Sequence, residues 1–266
     1  MKKYIGDRKF YLMVLSVAVP IMIQNGITNF VSLLDNIMVG QIGTEQMSGV
    51  AIVNQLILVF NLCIFGGVSG AGIFTAQYYG CGDQKGIRDT FRMKLWLSLF
   101  ITAAGLLAFA CFGTQLISLY LHEAGDTGDL EATLLYARKY LRVMMVELVP
   151  FAIIQAYSGT LRETGETMLP MKAGIVAVFV NLILNYILIF GKFGMPALGV
   201  EGAAIATTVS RFVELAIVAG WTHRNKEKNG FIREVYRSMK IPGGLVGKVL
   251  VMGTPLMVNE ALWSSG

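Results

Sequence analysis

The stretch "NFVSLLDNIMVG", residues 29–40, ends the first long apolar run of the chain on an acid. No charged residue stands between Phe10 and Leu34, and after Asp35 the uncharged sequence resumes and continues to Gly43. Either a helix stops at Leu34 and Asp35 meets water, or the helix continues and carries a carboxylate at bilayer depth. A charged carboxylate there costs at least about 2.5 kcal/mol. An acid with so costly a charged form is suited to taking up and releasing a proton or a small cation. Helical spacing supplies its company. Gln24, Thr28 and Asp35 (i, i+4, i+11) fall near one face, and Asn25, Asn29, Ser32 and Asn36 form the adjoining column. The resulting polar stripe lies opposite Ile23, Ile27, Phe30 and Leu34. In lipid it must face protein or a water-filled cavity, because each unsatisfied polar group costs several kcal/mol. Pro20, one turn before Gln24, has no N–H and frees the carbonyl of Ser16, so the helix can bend there.

Further polar groups stand in other apolar runs. "NLILNYILIF" sets Asn181 and Asn185 at i and i+4, Gln155 and Ser158 lie one turn apart beyond Pro150, and Thr207 and Thr208 follow later. Singly, such groups often only hold helices together, at ~0.6 kcal/mol apiece. As a set with Asp35 they describe a polar cavity at the centre of a bundle. Arg211 and Glu214 (i, i+3) can pair with each other. Glu147, close to Arg142 in sequence, reads as a structural residue near the outer interface, and Glu260 is a candidate second proton or cation site.

The elements that position these residues follow from composition. The 266 residues are 55% hydrophobic and only 15% charged, against about 25% charged in a soluble domain. Uncharged runs also occupy Gln46–Gly82, Leu95–Leu121 and Ala173–Gly191, and the runs Val143–Leu161 and Gly202–Trp221 carry a few charges. With roughly 20 apolar residues needed to span a bilayer, this predicts an all-α integral membrane protein: a six-helix bundle and the start of a seventh helix near Val249. The basic start Lys2-Lys3 is followed by too long an apolar run, and by no small-residue cleavage site, for a signal peptide. With the N-terminus in the cytoplasm, inside segments hold seventeen of the 22 basic residues and outside segments four, Arg211 lying within a span. That asymmetry predicts a multi-pass protein of the cell membrane with a cytoplasmic N-terminus. It also accounts for the net charge of +5 as a topology signal, with no nucleic-acid partner implied.

Other chemistries find little support. Cys63, Cys81 and Cys111 are odd in number and irregularly spaced, so they read as free, mostly buried thiols. His122 and His223 fall in loops on opposite sides of the membrane and form no metal cluster. "GGVSGAG" (66–72) lacks the Lys-Ser/Thr of a phosphate loop, and its glycines suit close helix contact instead. No enzyme signature and no cofactor are expected, only H⁺ or Na⁺ as a coupling ion.

Three segments are expected: a six-helix lobe over 1–221, a basic amphipathic linker over 222–248, and the first helix of a second lobe, cut short, over 249–266. In the linker Ile232, Val235, Tyr236 and Met239 recur at helical spacing opposite Arg233, Arg237 and Lys240, which predicts a short helix on the cytoplasmic membrane surface. "VLSVAVPIMIQN" (14–25) and "VLVMGTPLMVNE" (249–260) agree at four of twelve positions, including Pro20 with Pro255, as the first helices of two parallel repeats would. The partner of this lobe would then be a second, carboxy-terminal lobe.

The chain resembles the amino-terminal half of a multidrug and toxic compound extrusion (MATE) transporter. The stretches that carry the resemblance are "VPIMIQNGITNFVSLLDNIMVGQIG", "GAGIFTAQYYGCGDQKGIR", "SGTLRETGETMLPM", "NLILNYILIF" and "GVEGAAIATTVSR", in family order. It implies twelve helices in two lobes and export of organic cations or other amphiphiles in exchange for H⁺ or Na⁺. It also implies that Asp35 is the coupling-ion acid, that Gln155, Ser158, Asn181 and Thr207 line the same cavity, and that Glu260 is a counterpart of a seventh-helix acid. Where some members carry a second acid on helix five, this chain has Asn185. The expected function is a secondary antiporter working by alternating access, with the lipid bilayer and a small cationic or amphiphilic substrate as partners. A lipid-linked oligosaccharide flippase of the same superfamily and a non-transporting channel or scaffold are the alternatives.

Overall fold

The computed structural model describes residues 7–123, 129–249 and 251. Six helices follow in order: α1 (Arg8–Gly40), α2 (Thr44–Gly80), α3 (Gln84–Glu123), α4 (Leu130–Glu163), α5 (Met168–Phe190) and α6 (Val200–Arg224). Each is long and apolar enough to cross a membrane. At 1.5 Å per residue α5 matches the roughly 30 Å hydrocarbon core, while α1 to α4 are longer than crossing requires. Asp7 caps α1, its carboxylate accepting from the Phe10 N–H at 2.8 Å.

The connections are short because their residues stop helices firmly. After α2, Gly82 takes φ +74°, and Asp83 Oδ1 accepts from the Lys85 and Gly86 N–H groups at 3.0 Å to start α3. Between α5 and α6 the chain doubles back so closely that a Cβ on Gly202 would stand 2.7 Å from the Leu188 carbonyl oxygen. α2 packs on α3 and α4, α4 on α6, α6 on α5, and α5 on α1. "GGVSGAG" lies on α2, with Gly66, Gly67, Gly70 and Gly72 buried. One end of the bundle carries the start of α1, the 81–83 and 164–167 turns and residues 225–242; it is called the basic end below.

At that end the structure corrects one expectation. Ile232 to Met239 do not form an amphipathic helix. They make two 3₁₀ turns, Gly230–Ile232 and Val235–Arg237, with Glu234 between them at φ +58°. Their apolar side chains Phe231, Ile232 and Val235 are buried against Ile87, Phe91, Tyr157, Leu161 and Val218. Arg92 fastens this strap, donating from Nε to the Val235 carbonyl at 2.9 Å and from Nη2 to the Glu234 carbonyl at 3.0 Å. Ile232 and Val235 of the expected apolar face therefore meet protein, while Tyr236 stays exposed. Helical structure resumes at residues 243–249, six positions ahead of the expected start near Val249. Cys63, Cys81 and Cys111 are exposed, against the expectation of buried thiols.

Candidate functional site

α1 runs unbroken through Leu34 and Asp35 to Gly40, so Asp35 sits inside the helix, and the reading in which the helix stops before it is wrong. Its carboxylate points at α5. Asn185 Nδ2 donates to Asp35 Oδ1 at 2.6 Å. With its amide nitrogen toward the acid, Asn181 donates to both Asp35 oxygens at 3.1 Å, and its own oxygen accepts from Thr207 Oγ1 at 3.2 Å. The spacing of Asn181 and Asn185 by one turn is what lets both amides reach one carboxylate. Both are almost fully buried, and these hydrogen bonds satisfy donors that would otherwise be stranded.

This cluster opens onto a cavity of about 390 Å³ lined by five of the six helices. α1 contributes Gln24, Asp35 and Asn36, α2 Asn54 and Asn61, α4 Tyr140 and Glu147, α5 Asn181, and α6 Thr207, Arg211 and Glu214. Arg211 donates to Glu147 at 3.1 Å and to Glu214 at 2.9 Å, and its guanidinium lies 5.7 Å from the Phe151 ring centre. The expected Arg211–Glu214 pair therefore forms, with Glu147 as a third member. Glu147 does not lie near the outer interface with Arg142; it is 2% exposed and belongs to the cavity wall. Three carboxylates, Asp35, Glu147 and Glu214, face one guanidinium, so the lining is net negative.

Towards the basic end, Arg162 Nη2 donates to Gln24 Oε1 at 3.1 Å, and Gly174 leaves room for the Gln24 amide. Beyond it, the Thr167 hydroxyl donates to the Ser16 carbonyl at 3.3 Å, the group that Pro20 frees from the helix ladder.

The structure thus brings together Gln24, Asp35, Asn181, Asn185 and Thr207. Gln155 and Ser158 are not among the residues lining this cavity, and Ser158 is buried elsewhere in the bundle. The Thr28 side chain and the whole of Glu260 lie outside the described residues. The polar stripe of α1 splits: Gln24, Asp35 and Asn36 line the cavity, while Asn25 and Asn29 are exposed. The stripe is wider than the face α1 turns toward α5. Sequence reasoning passed over Asn54, Asn61 and Tyr140. Tyr140 donates its hydroxyl to Asn54 Oδ1 at 3.2 Å, and the two amides, seven residues apart inside an uncharged run, were the available signal.

The family model MatE matches residues 20–187. The chain belongs to the MATE family. It is 29% identical over 255 residues to the probable multidrug resistance protein NorM of Thermotoga maritima, an alignment covering 95% of this chain and 52% of that protein. The probable multidrug resistance protein YoeA of Bacillus subtilis is 24% identical over 247 residues, 92% of this chain and 52% of the relative. Among solved structures, a MATE transporter in the bent conformation superposes with a TM-score of 0.79 at 22% identity, covering 94% of this chain and 53% of that one. An outward-facing MATE transporter of the MOP superfamily gives 0.78 at 21% identity, covering 94% and 52%. The MATE chain described here thus spans about half the length of the relatives it matches. It is a multi-pass membrane protein whose lobe places an amide-held acid in a negatively lined cavity.

Proposed function

We propose that this lobe belongs to a secondary antiporter that exports organic cations or cationic amphiphiles in exchange for H⁺ or Na⁺. The observation that carries the reading is the cavity: of a size for a small molecule, with three carboxylates against one guanidinium in its lining. A cation entering it exchanges water for the negative field of a low-dielectric site. Arg211, the one cationic side chain among the described residues of the lining, is already engaged by two glutamates, which argues against the pyrophosphate of a lipid-linked oligosaccharide.

In this reading Asp35 is the coupling site and the basic end faces the cytoplasm. A proton or Na⁺ arriving from outside neutralises the carboxylate and weakens its hold on the Asn181 and Asn185 amides. α1 is then free to bend at Pro20, the cavity contracts, and substrate leaves. Substrate and coupling ion bias one equilibrium in opposite directions, which any ligand-driven exchange requires. The second lobe would supply the facing half of the path, and Glu260 would be its candidate acid.

The test is efflux of a fluorescent cation from proteoliposomes holding the full-length protein, under an imposed proton gradient or an imposed Na⁺ gradient. Uphill movement driven by one gradient and abolished by its ionophore supports antiport. Dye movement that only ever runs downhill overturns it in favour of a channel.

A further inference from the structure

A second concavity, of about 330 Å³, lies between α3 and α4, and none of its lining residues belongs to the polar cavity. Its walls are apolar except for two hydroxyls, Ser98 and Thr102. These side chains are 2% and 5% exposed, and neither oxygen has a hydrogen-bond partner among the described residues. Both oxygens are enclosed by the bundle and do not open into the groove, whose accessible wall is apolar.

Place and dimensions say what the groove takes. Leu99 and Phe100 beside the groove, and Val149 across it, are exposed, so the groove lies on the perimeter of the bundle. The described residues beyond the strap turn the other way: Leu245 and Val249 pack on Ala71, Phe74 and Met93 and do not cover the α3–α4 flank. From Leu95 to Leu106 the groove follows α3 for about 16 Å, half of the roughly 30 Å hydrocarbon core and so one leaflet deep. At its basic end stand Trp96 and Met239, joined by the Trp96 Nε1 hydrogen bond to the Met239 carbonyl at 3.1 Å. Trp is the side chain that settles at the headgroup boundary. Arg237, two residues before Met239, and Lys240, one after it, are both exposed, Arg237 also reaching Glu234 at 3.4 Å.

We propose that this groove binds an anionic membrane phospholipid: an acyl chain between α3 and α4 and the headgroup phosphate beyond Trp96, at Arg237 and Lys240. Basic side chains at the membrane surface supply the preference for negative charge. The site is independent of the cavity around Asp35.

The test uses the full-length protein with Trp96 as its only tryptophan, in nanodiscs in which brominated phosphatidylglycerol or brominated phosphatidylcholine is titrated against the same unbrominated lipid mixture. Bromine quenches a ring only at contact. Half-maximal Trp96 quenching should come at an at least threefold lower mole fraction of the phosphatidylglycerol. Arg237→Gln/Lys240→Gln should bring the two lipids together. Both replaced side chains are exposed, so the variant keeps the parent's packing. Equal quenching by both lipids in the parent, a preference that survives the double substitution, or no quenching by either lipid would overturn the proposal, the last because protein would then be covering the groove.

Discussion

Asp35 is held by amides, while the guanidinium in the same cavity is taken by Glu147 and Glu214. An acid gripped by neutral donors can lose its charge without stranding a buried counter-ion, whereas one gripped by a guanidinium would be held to its charge. Hydrogen bonds to a charged group contribute about 1.5–3 kcal/mol, so Asn185→Leu should lower the thermal-unfolding midpoint of the detergent-solubilised protein by that much stability. An unchanged midpoint would mean the 2.6 Å contact does not hold the site together. Arg211→Leu should cost about 3–5 kcal/mol, because it leaves two glutamates buried without their cation. Adding Glu147→Gln and Glu214→Gln to it should recover most of the loss in the same assay. Asp35, Asn181, Asn185 and Thr207 were legible in the sequence because polar side chains in apolar runs must find one another. Glu147 was not. Its sequence neighbour Arg142 is five positions away and so on another face of the helix, and its partner comes from α6, sixty-four positions on, a distance at which spacing carries no signal.

At the scale of elements, four of the six spans follow from long uncharged runs and two from apolar runs holding a few charges, and their ends follow from turn residues such as Gly82 and Asp83. The strap did not follow. Periodic apolar residues tell which face is buried, not what buries it, and here Phe231, Ile232 and Val235 bury against α3, α4 and α6 in 3₁₀ turns broken at Glu234. The carbonyl that Pro20 takes from the helix ladder was legible, but the group that answers it was not: Thr167 lies 151 positions from Ser16. If the Thr167 hydroxyl steadies α1 across its proline, Thr167→Val should remove about 1 kcal/mol and speed hydrogen exchange of amides around residues 16–24 about fivefold. Unchanged exchange there would assign the bond no part in holding α1 straight. At Gly202, where a Cβ would meet the Leu188 carbonyl oxygen, Gly202→Ala should cost about 1–3 kcal/mol by forcing α5 and α6 apart, readable as the same midpoint shift.

At the scale of the whole molecule, one lobe of a MATE protein offers a negatively lined cavity, an acid at its wall and a proline in the helix that bears the acid. Its sidedness can be read with thiols. Cys81 is exposed on the turn between α2 and α3 at the basic end, and Lys192 lies in the connection from α5 to α6 at the other end. In variants left with a single cysteine, a membrane-impermeant maleimide should label Lys192→Cys in intact cells and Cys81 only after permeabilisation; the reverse pattern would invert the proposed orientation. The central claim is that export runs through Asp35. It is tested most directly by ethidium accumulation in pump-deficient bacteria expressing the full reading frame, with Asp35→Asn compared at matched membrane level. The account predicts that the parent lowers accumulation and that Asp35→Asn raises it to the level of cells without the protein. Equal export by both would contradict it.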